Sequence, residues 1–387
     1  MNILLTGASG FVGCYVKLAL SQFHTCVPLA DANGTIDLRD IERIKLFLSS
    51  NIKPYVKLNK GSKNNAYDTT LAQPHTCGFD AIIHLAAQSF VPESFKNPLE
   101  TFDVNFTGTY NLFRALKAYG FYGKILYISS GDIYGLVSED KLPITEDELL
   151  KPRSPYAVSK VAAEALCYQW SITEDMEIII ARPFNHIGPN QSERFAVPSF
   201  GKQIAEIELG LRKPVISTGN IDITRDFLDV RDVAEAYKLL LEKAMNFKEQ
   251  GTEINIKTES NLKASTNTNT FTDTKSLEKN TNTFNDANEL TKKDAKEIKN
   301  VENFRSYVYN VCSGSETSIR SIINMMLKIT GVNAKIETDN NKLRPNEQKR
   351  VYGNNEKIKK ITGWEPKIPL EQSLKDILNY WKEKLKN

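Results

Sequence analysis

The chain has 387 residues, 41% of them hydrophobic and 25% charged, with a formal net charge of +3. That length suffices for two or three domains around a large core, and so small a charge over it gives no footing for nucleic acid or an anionic membrane surface. No apolar run approaches the ~18 residues of a transmembrane helix, and the N-terminus lacks the basic-then-apolar pattern of a signal peptide. Cys14, Cys26, Cys77, Cys167 and Cys312 are odd in number and scattered, without a CxxC or a metal spacing. They read as buried or half-buried thiols of a reducing cytoplasm. His24, His75, His84 and His186 likewise form no ligand cluster, so no metal is expected.

In chain order, Asn2 to Leu5 is a short apolar run that predicts a buried parallel strand. Thr6-Gly7-Ala8-Ser9-Gly10-Phe11-Val12-Gly13 follows, then an apolar-periodic helix to about Phe23. Strand, glycine turn and helix form the setting of a dinucleotide phosphate site. Gly7 permits the tight turn, Gly10 lets backbone approach a pyrophosphate at the helix N-terminus, and Gly13 lets helix and strand pack closely. The spacing is G-x-x-G-x-x-G. Thr25 to Ala30 predicts the second strand, ending at Asp31, although Pro28 fits a central strand poorly. An acid at that place accepts from a ribose 2′-hydroxyl, which favours NAD over NADP, and no Arg is expected close enough to hold a 2′-phosphate. A plain turn aspartate is the equal alternative. Asp37 is expected to cap the following helix or to face an adenine edge.

Residues 51–78 are polar and predict a surface insertion, after which Phe79 to Ala87 supplies the next buried strand. Ala86 and Ala87 at its end are small enough for a cofactor to lie close, and His84 is expected to be packed rather than catalytic. Asn105 falls inside a helical pattern from Pro98 to Tyr119, where Asn is mildly disfavoured. That leaves either a side-chain role or a solvent-facing position. Lys124 to Ser129 predicts a strand ending at Ser130, and a helix begins after Pro155. Tyr156 and Lys160 stand four apart on it, hence on one face about one turn apart. An ammonium beside a phenol favours the phenolate and lowers its pKa toward working pH. Such a tyrosine exchanges a proton with a carbonyl or alcohol oxygen, and Ser130 could hold the same oxygen. Glu177 to Arg182 and Tyr307 to Val311 predict further strands, Val233 to Ala244 a helix, and Ala334 to Glu337 a last short strand. Between them, residues 246–303 are rich in Asn, Thr and Lys with few apolar anchors. Such a stretch cannot bury enough surface to offset its ordering entropy and predicts a disordered insertion.

TGASGFVG, HLAAQS, the ISS strand end, YAVSK and RPFN occur in that order, and by them the chain resembles the extended short-chain dehydrogenase/reductase family over nearly its whole length. The resemblance implies a doubly wound α/β parallel sheet of Rossmann type over 1–185 and a smaller C-terminal substrate domain over 186–387, with 226–244 returning to the first. It implies catalysis by Ser130, Tyr156 and Lys160. It also implies NAD(P)H contacts at Gly7, Gly10, Phe11, Val12, Gly13, Asp31, Asp37, Leu38, Leu85, Ala86, Ala87, Asn105, Tyr156, Lys160 and Pro183. Arg182-Pro183-Phe184-Asn185-His186-Ile187-Gly188-Pro189, Arg225-Asp226-Phe227-Leu228-Asp229-Val230-Arg231-Asp232 and the Arg344-Pro345 and Gly363-Trp364-Glu365-Pro366 pieces are similar to reductases of GDP-4-dehydro-6-deoxy-D-mannose. Asn190 departs from that group's Gly. In this light Gln88, Asp132, Asn185, Arg225 and Arg344 are the expected substrate contacts, the last three at a diphosphate that suits planar guanidinium forks.

The expected reaction is reduction of the 4-keto group to give GDP-D-rhamnose, in a cytoplasmic homodimer paired through the helices near Asn105 and Tyr156. The related 4,6-dehydratases carry an acidic pair, or a Glu, just after the catalytic Ser or Thr. Here Gly131 and Asp132 stand there, which argues against dehydration. GDP-mannose 4,6-dehydratase and a non-catalytic NAD(P) sensor are the alternatives.

Overall fold

The structure, a computed structural model, describes residues 1–52, 77–174, 176–244, 307–343 and 347–386. Nearly all of the polar stretch expected over 51–78, the whole of the one over 246–303, and Arg344 lie outside the described residues.

Six strands make the main sheet: β1 (Asn2–Thr6), β2 (Thr25–Pro28), β3 (Ala81–His84), β4 (Lys124–Ile128), β5 (Glu177–Pro183) and β6 (Val308–Val311). All are parallel, in the order β6-β5-β4-β3-β1-β2. Both faces are buried, so the strands read as apolar runs whose alternate residues serve opposite faces. Leu4, Ile82, Ile125 and Ile180 join one core with helices α2 (Ile41–Ser49), α3 (Gly108–Ala118) and α4 (Pro155–Thr173). Ile3, Leu5, Ile83, Leu126 and Ile179 join the other with α1 (Phe11–Ser21) and α6 (Val230–Lys243). The chain crosses to one side of β1 for β2 and to the other for β3, which opens a crevice at their carboxyl ends.

Two sequence expectations shift here. The second strand stops at Pro28, and Ala30–Asp31 instead pairs antiparallel with Gly34–Thr35 in a small hairpin. β2 is the sheet edge, where a proline costs no ladder bond. Strand β6 lies far along the chain, yet it extends the main sheet beside β5.

A second lobe packs α5 (Ala196–Glu208), α7 (Ile319–Thr330) and α8 (Leu370–Lys386) around Phe200, Ile204, Ile323, Met326, Ile377 and Trp381. Short pairings tie it to the sheet. Asn185–Ile187 runs parallel to Phe227–Asp229, and Thr224–Arg225 lies between Thr317–Ser318 and Arg350–Val351.

Candidate active site

Every strand of the central four delivers its functional residues at its carboxyl end, on the rim of the crevice. The glycine turn follows β1. Gly7 has φ +70°, and a Cβ there would lie 2.8 Å from the Ala86 nitrogen, so the turn must be glycine to sit against the end of β3. At Gly13 a Cβ would meet the Gly7 carbonyl oxygen at 2.1 Å, which keeps α1 tight on the turn. Gly10 is exposed and caps α1 without a side chain, and the first turn holds no acid. The first-turn amides therefore face outward with the positive end of the helix dipole, as a pyrophosphate requires. Phe11 and Val12 are half-buried behind them, as are Leu85, Ala86, Ala87 and Gln88 across the crevice. These residues fit a dinucleotide.

Asn105 is buried, so the solvent-facing alternative is wrong. It sits in a π-helical turn, Asp103–Thr107, within the helical run from Pro98 to Ala118. The widened turn directs its amide to three partners. Its Oδ1 accepts from the Gln88 amide N–H at 2.8 Å, and its Nδ2 donates to the Gln88 carbonyl at 3.0 Å and to Ser159 Oγ at 2.9 Å. Asn105 thus clamps the loop after β3 to helix α4. Ser159, inside YAVSK, was not singled out by sequence reasoning, although its spacing from Tyr156 marks the buried face of that helix. Gln88 itself is turned inward, with Oε1 accepting from the Phe90 N–H at 2.6 Å and Nε2 donating to Thr101 at 3.1 Å. Those bonds hold the Gln88 side chain against the loop after β3 and the Thr101 hydroxyl.

Tyr156 and Lys160 are both buried on one face of α4, whose start is capped by Ser154 and Pro155. Ser130 Oγ caps the 3₁₀ turn Gly131–Tyr134 by accepting from the Asp132 N–H at 3.1 Å, and Ser130 is hydrogen-bonded to Tyr156. The lowering of the Tyr156 pKa expected from Lys160 is not seen in the resting site. Burial, and next the charge of Asp132, push the Tyr156 phenol above its ordinary value, and Ser130 only offsets part of this. Lys160 Nζ instead donates to the Ile128 carbonyl at 2.7 Å and lies 5.0 Å over the Tyr127 ring. Burial pushes Lys160 down to about 8. Asp132 is exposed and close enough to act on Tyr156, a position open to substrate.

His84 is packed. It bridges Thr6 at 2.7 Å and Thr109 at 2.9 Å, and burial drives it down to about 3, so it is neutral. Asp37 does not cap α2; Asp40 does, accepting from the Arg43 N–H at 3.1 Å. Asp37 forks with Arg39, and Leu38 is buried in the core beside α3. Asp31 was expected to have no arginine near it, yet Arg43 grips it at 2.7 Å, because α2 doubles back over the hairpin. Cys14 is exposed rather than buried.

On the second lobe, Pro183 closes β5 and Asn185 follows on an exposed position. Asn185 faces Phe227 across the pairing, so Arg225, two residues earlier, enters the same neighbourhood. Arg225 is half-buried and donates to the Gln348 carbonyl at 2.9 Å and to Glu347 at 3.3 Å. His186, between them, stacks on Phe11 with ring centres 6.2 Å apart, and Tyr15 donates to the Pro189 carbonyl at 3.0 Å. Among the described residues no group of His, Cys, Asp or Glu could hold a metal ion, and no helix is long and apolar enough to cross a membrane.

A family model described as GDP-mannose 4,6 dehydratase matches residues 4–309. The chain belongs to the GDP-mannose 4,6-dehydratase family. Within this branch of the short-chain dehydrogenase/reductases it is 36% identical over 385 residues to the GDP-6-deoxy-D-mannose reductase of Pseudomonas aeruginosa, covering 100% of this chain and 98% of that one. The solved structure of RMD from Pseudomonas aeruginosa complexed with NADPH matches with a TM-score of 0.72 and 34% identity, covering 99% of this chain and all of that one. The family's wider fold is shared with the UDP-glucose 4-epimerase of Thermotoga maritima, at TM-score 0.69 and 21% identity over 100% of both chains.

Proposed function

We propose that this protein reduces the 4-keto group of GDP-4-dehydro-6-deoxy-D-mannose, using NAD(P)H, to give GDP-D-rhamnose. The observation that carries the choice between reduction and dehydration is the packing at Gly131. A Cβ there would lie 3.1 Å from the ring of Phe184, so an acid at this place would require Phe184 to move. Only Asp132 then stands beside Ser130, whereas elimination of water across C5 and C6 needs both a base and an acid. The GDP-6-deoxy-D-mannose reductase of Pseudomonas aeruginosa, 36% identical over the full chain, supports the same direction.

NAD(P)H, held by the glycine turn and by Leu85 to Ala87, would supply the hydride when bound. Tyr156, kept protonated by its burial and by Asp132, is the donor for the carbonyl oxygen. Ser130, hydrogen-bonded to Tyr156, aligns that oxygen. Lys160, held by the Ile128 carbonyl one turn along α4, stabilises the phenolate left behind. Asn185 and Arg225 bind the diphosphate.

Two copies pair through α3 and α4 in this proposal. Val158, Ala162, Ala165, Gln169 and Ile172 form a stripe at helical spacing on α4, and Leu99 and Tyr110 stand exposed on the neighbouring run. The enzyme is cytoplasmic in the same proposal, in keeping with five free cysteines.

The test is oxidation of NADPH and NADH with GDP-4-dehydro-6-deoxy-D-mannose made in situ, with GDP-mannose alone as control. Oxidation only with the keto sugar, yielding a GDP-deoxyhexose, is expected. Tyr156→Phe should lower kcat by about two orders of magnitude or more. Conversion of GDP-mannose itself to the keto sugar would make the protein a dehydratase.

A further inference from the structure

Asp31 was expected to receive a ribose 2′-hydroxyl, but its oxygens are already engaged. Arg43 Nε donates to Oδ2 at 3.0 Å, Arg43 Nη2 donates to Oδ1 and Oδ2 at 2.7 and 2.9 Å, and the Asn33 N–H donates to Oδ1 at 2.8 Å. Both side chains of the pair are about one-third exposed, at 32% and 33%, so a ligand on the surface can reach them. The hairpin that carries Asp31 leans on the glycine turn, with Thr35 Oγ1 3.5 Å from Ser9 Oγ. The adenosine ribose of a dinucleotide held by such a turn lies at the end of the second strand, on this side.

We propose that Arg43 recognises the 2′-phosphate of NADPH and that Asp31 is its positioning residue rather than a ribose acceptor. The inference rests on the dinucleotide reading of the glycine turn. A guanidinium carries five donors in a planar fork. Asp31 takes the edge formed by Nε and Nη2, and Nη1 makes no hydrogen bond among the described residues. The carboxylate therefore fixes the plane of Arg43 while its outer edge stays available to phosphate oxygens. Asp31 alone would repel a 2′-phosphate; paired with Arg43 it does so far less. The hydroxyls of Ser9 and Thr35 supply neutral donors on the same side of the turn.

The two assignments predict opposite outcomes for Asp31. A carboxylate that received the ribose would, on removal, weaken NADH and help NADPH. A positioning carboxylate would, on removal, weaken NADPH and spare NADH. Calorimetric binding of NADPH, NADH and adenosine 2′,5′-bisphosphate to the full-length protein separates them without turnover. Arg43→Gln is expected to weaken NADPH and the bisphosphate by roughly tenfold or more, the loss of a charge-assisted contact, with NADH held within about twofold. Asp31→Ala is expected to weaken NADPH by a smaller factor and leave NADH unchanged. Unchanged NADPH affinity in Arg43→Gln overturns the assignment. So does a loss of NADH with a gain of NADPH in Asp31→Ala, and so does equal loss of both dinucleotides, which would make the pair a clip for the hairpin. Wild-type protein that bound neither dinucleotide would instead overturn the reading of the glycine turn.

Discussion

In the proposed reaction Tyr156 serves as the proton donor by virtue of where it is buried, and Lys160 sets the pH range in which its conjugate base is tolerated. Burial pushes Lys160 down to about 8, so its charge is present below that pH and lost as pH rises through it. Tyr156 is raised, so it stays protonated on both sides of this window. The kcat for reduction should therefore be level near neutrality and fall above about pH 8, as read from the pH profile at saturating substrate. A kcat that climbed through pH 8 would mean that Tyr156 works as a base and the direction is wrong. The pairing of these two residues was legible in sequence because four-residue spacing on a helix is a geometric certainty. Their electrostatics were not, because the Ile128 carbonyl that captures Lys160 comes from a different strand. The grip of Arg43 on Asp31 was hidden for a related reason: it needs the hairpin Ala30–Thr35, whereas the sequence reads as a strand that ends at Asp31.

Helix α4 is held at its correct height by a buried ion pair as well as by its cap. Tyr156, Lys160 and Glu164 follow one another at four-residue steps, and Glu164 forks with Arg182 of β5 at 2.7 and 3.0 Å. Arg182 also donates to the Tyr134 hydroxyl at 2.9 Å and to the Glu146 carbonyl at 3.1 Å, so one guanidinium joins α4, β5 and the turn after Ser130. Removing one partner of such a pair leaves a buried charge uncompensated. Glu164→Ala is thus expected to cost about 3–5 kcal/mol in urea unfolding, and Glu164→Leu with Arg182→Met to recover much of it. A cost below about 1 kcal/mol for the single change would show that water reaches Arg182. Asn105 works at the same scale. Its π turn has no distinctive sequence pattern, so the periodicity of Pro98 to Tyr119 reads as one plain helix even though the turn is what aims its amide.

At the scale of the whole molecule, the exposed apolar stripe on α4 beside Leu99 and Tyr110 is expected to close between two copies. Sedimentation should give a dimer, and Leu99→Glu with Ala165→Glu a monomer; a double variant that stayed dimeric would move the interface elsewhere. The alternation of strand and helix made the parallel sheet legible from the first turn onward. The sheet's far edge was not, because Val308–Val311 is separated from β5 by α5, α6 and the long polar stretch.

The stack of Phe11 on His186, with the Tyr15 bond to Pro189, joins the glycine turn and the strand Asn185–Ile187, the proposed dinucleotide and diphosphate sites, in a single contact. If the two ligands bind where proposed, this contact is expected to link them thermodynamically. Whatever factor one gains in affinity from the other's presence, it returns in full, so a strained stack at Phe11 would be felt equally by both.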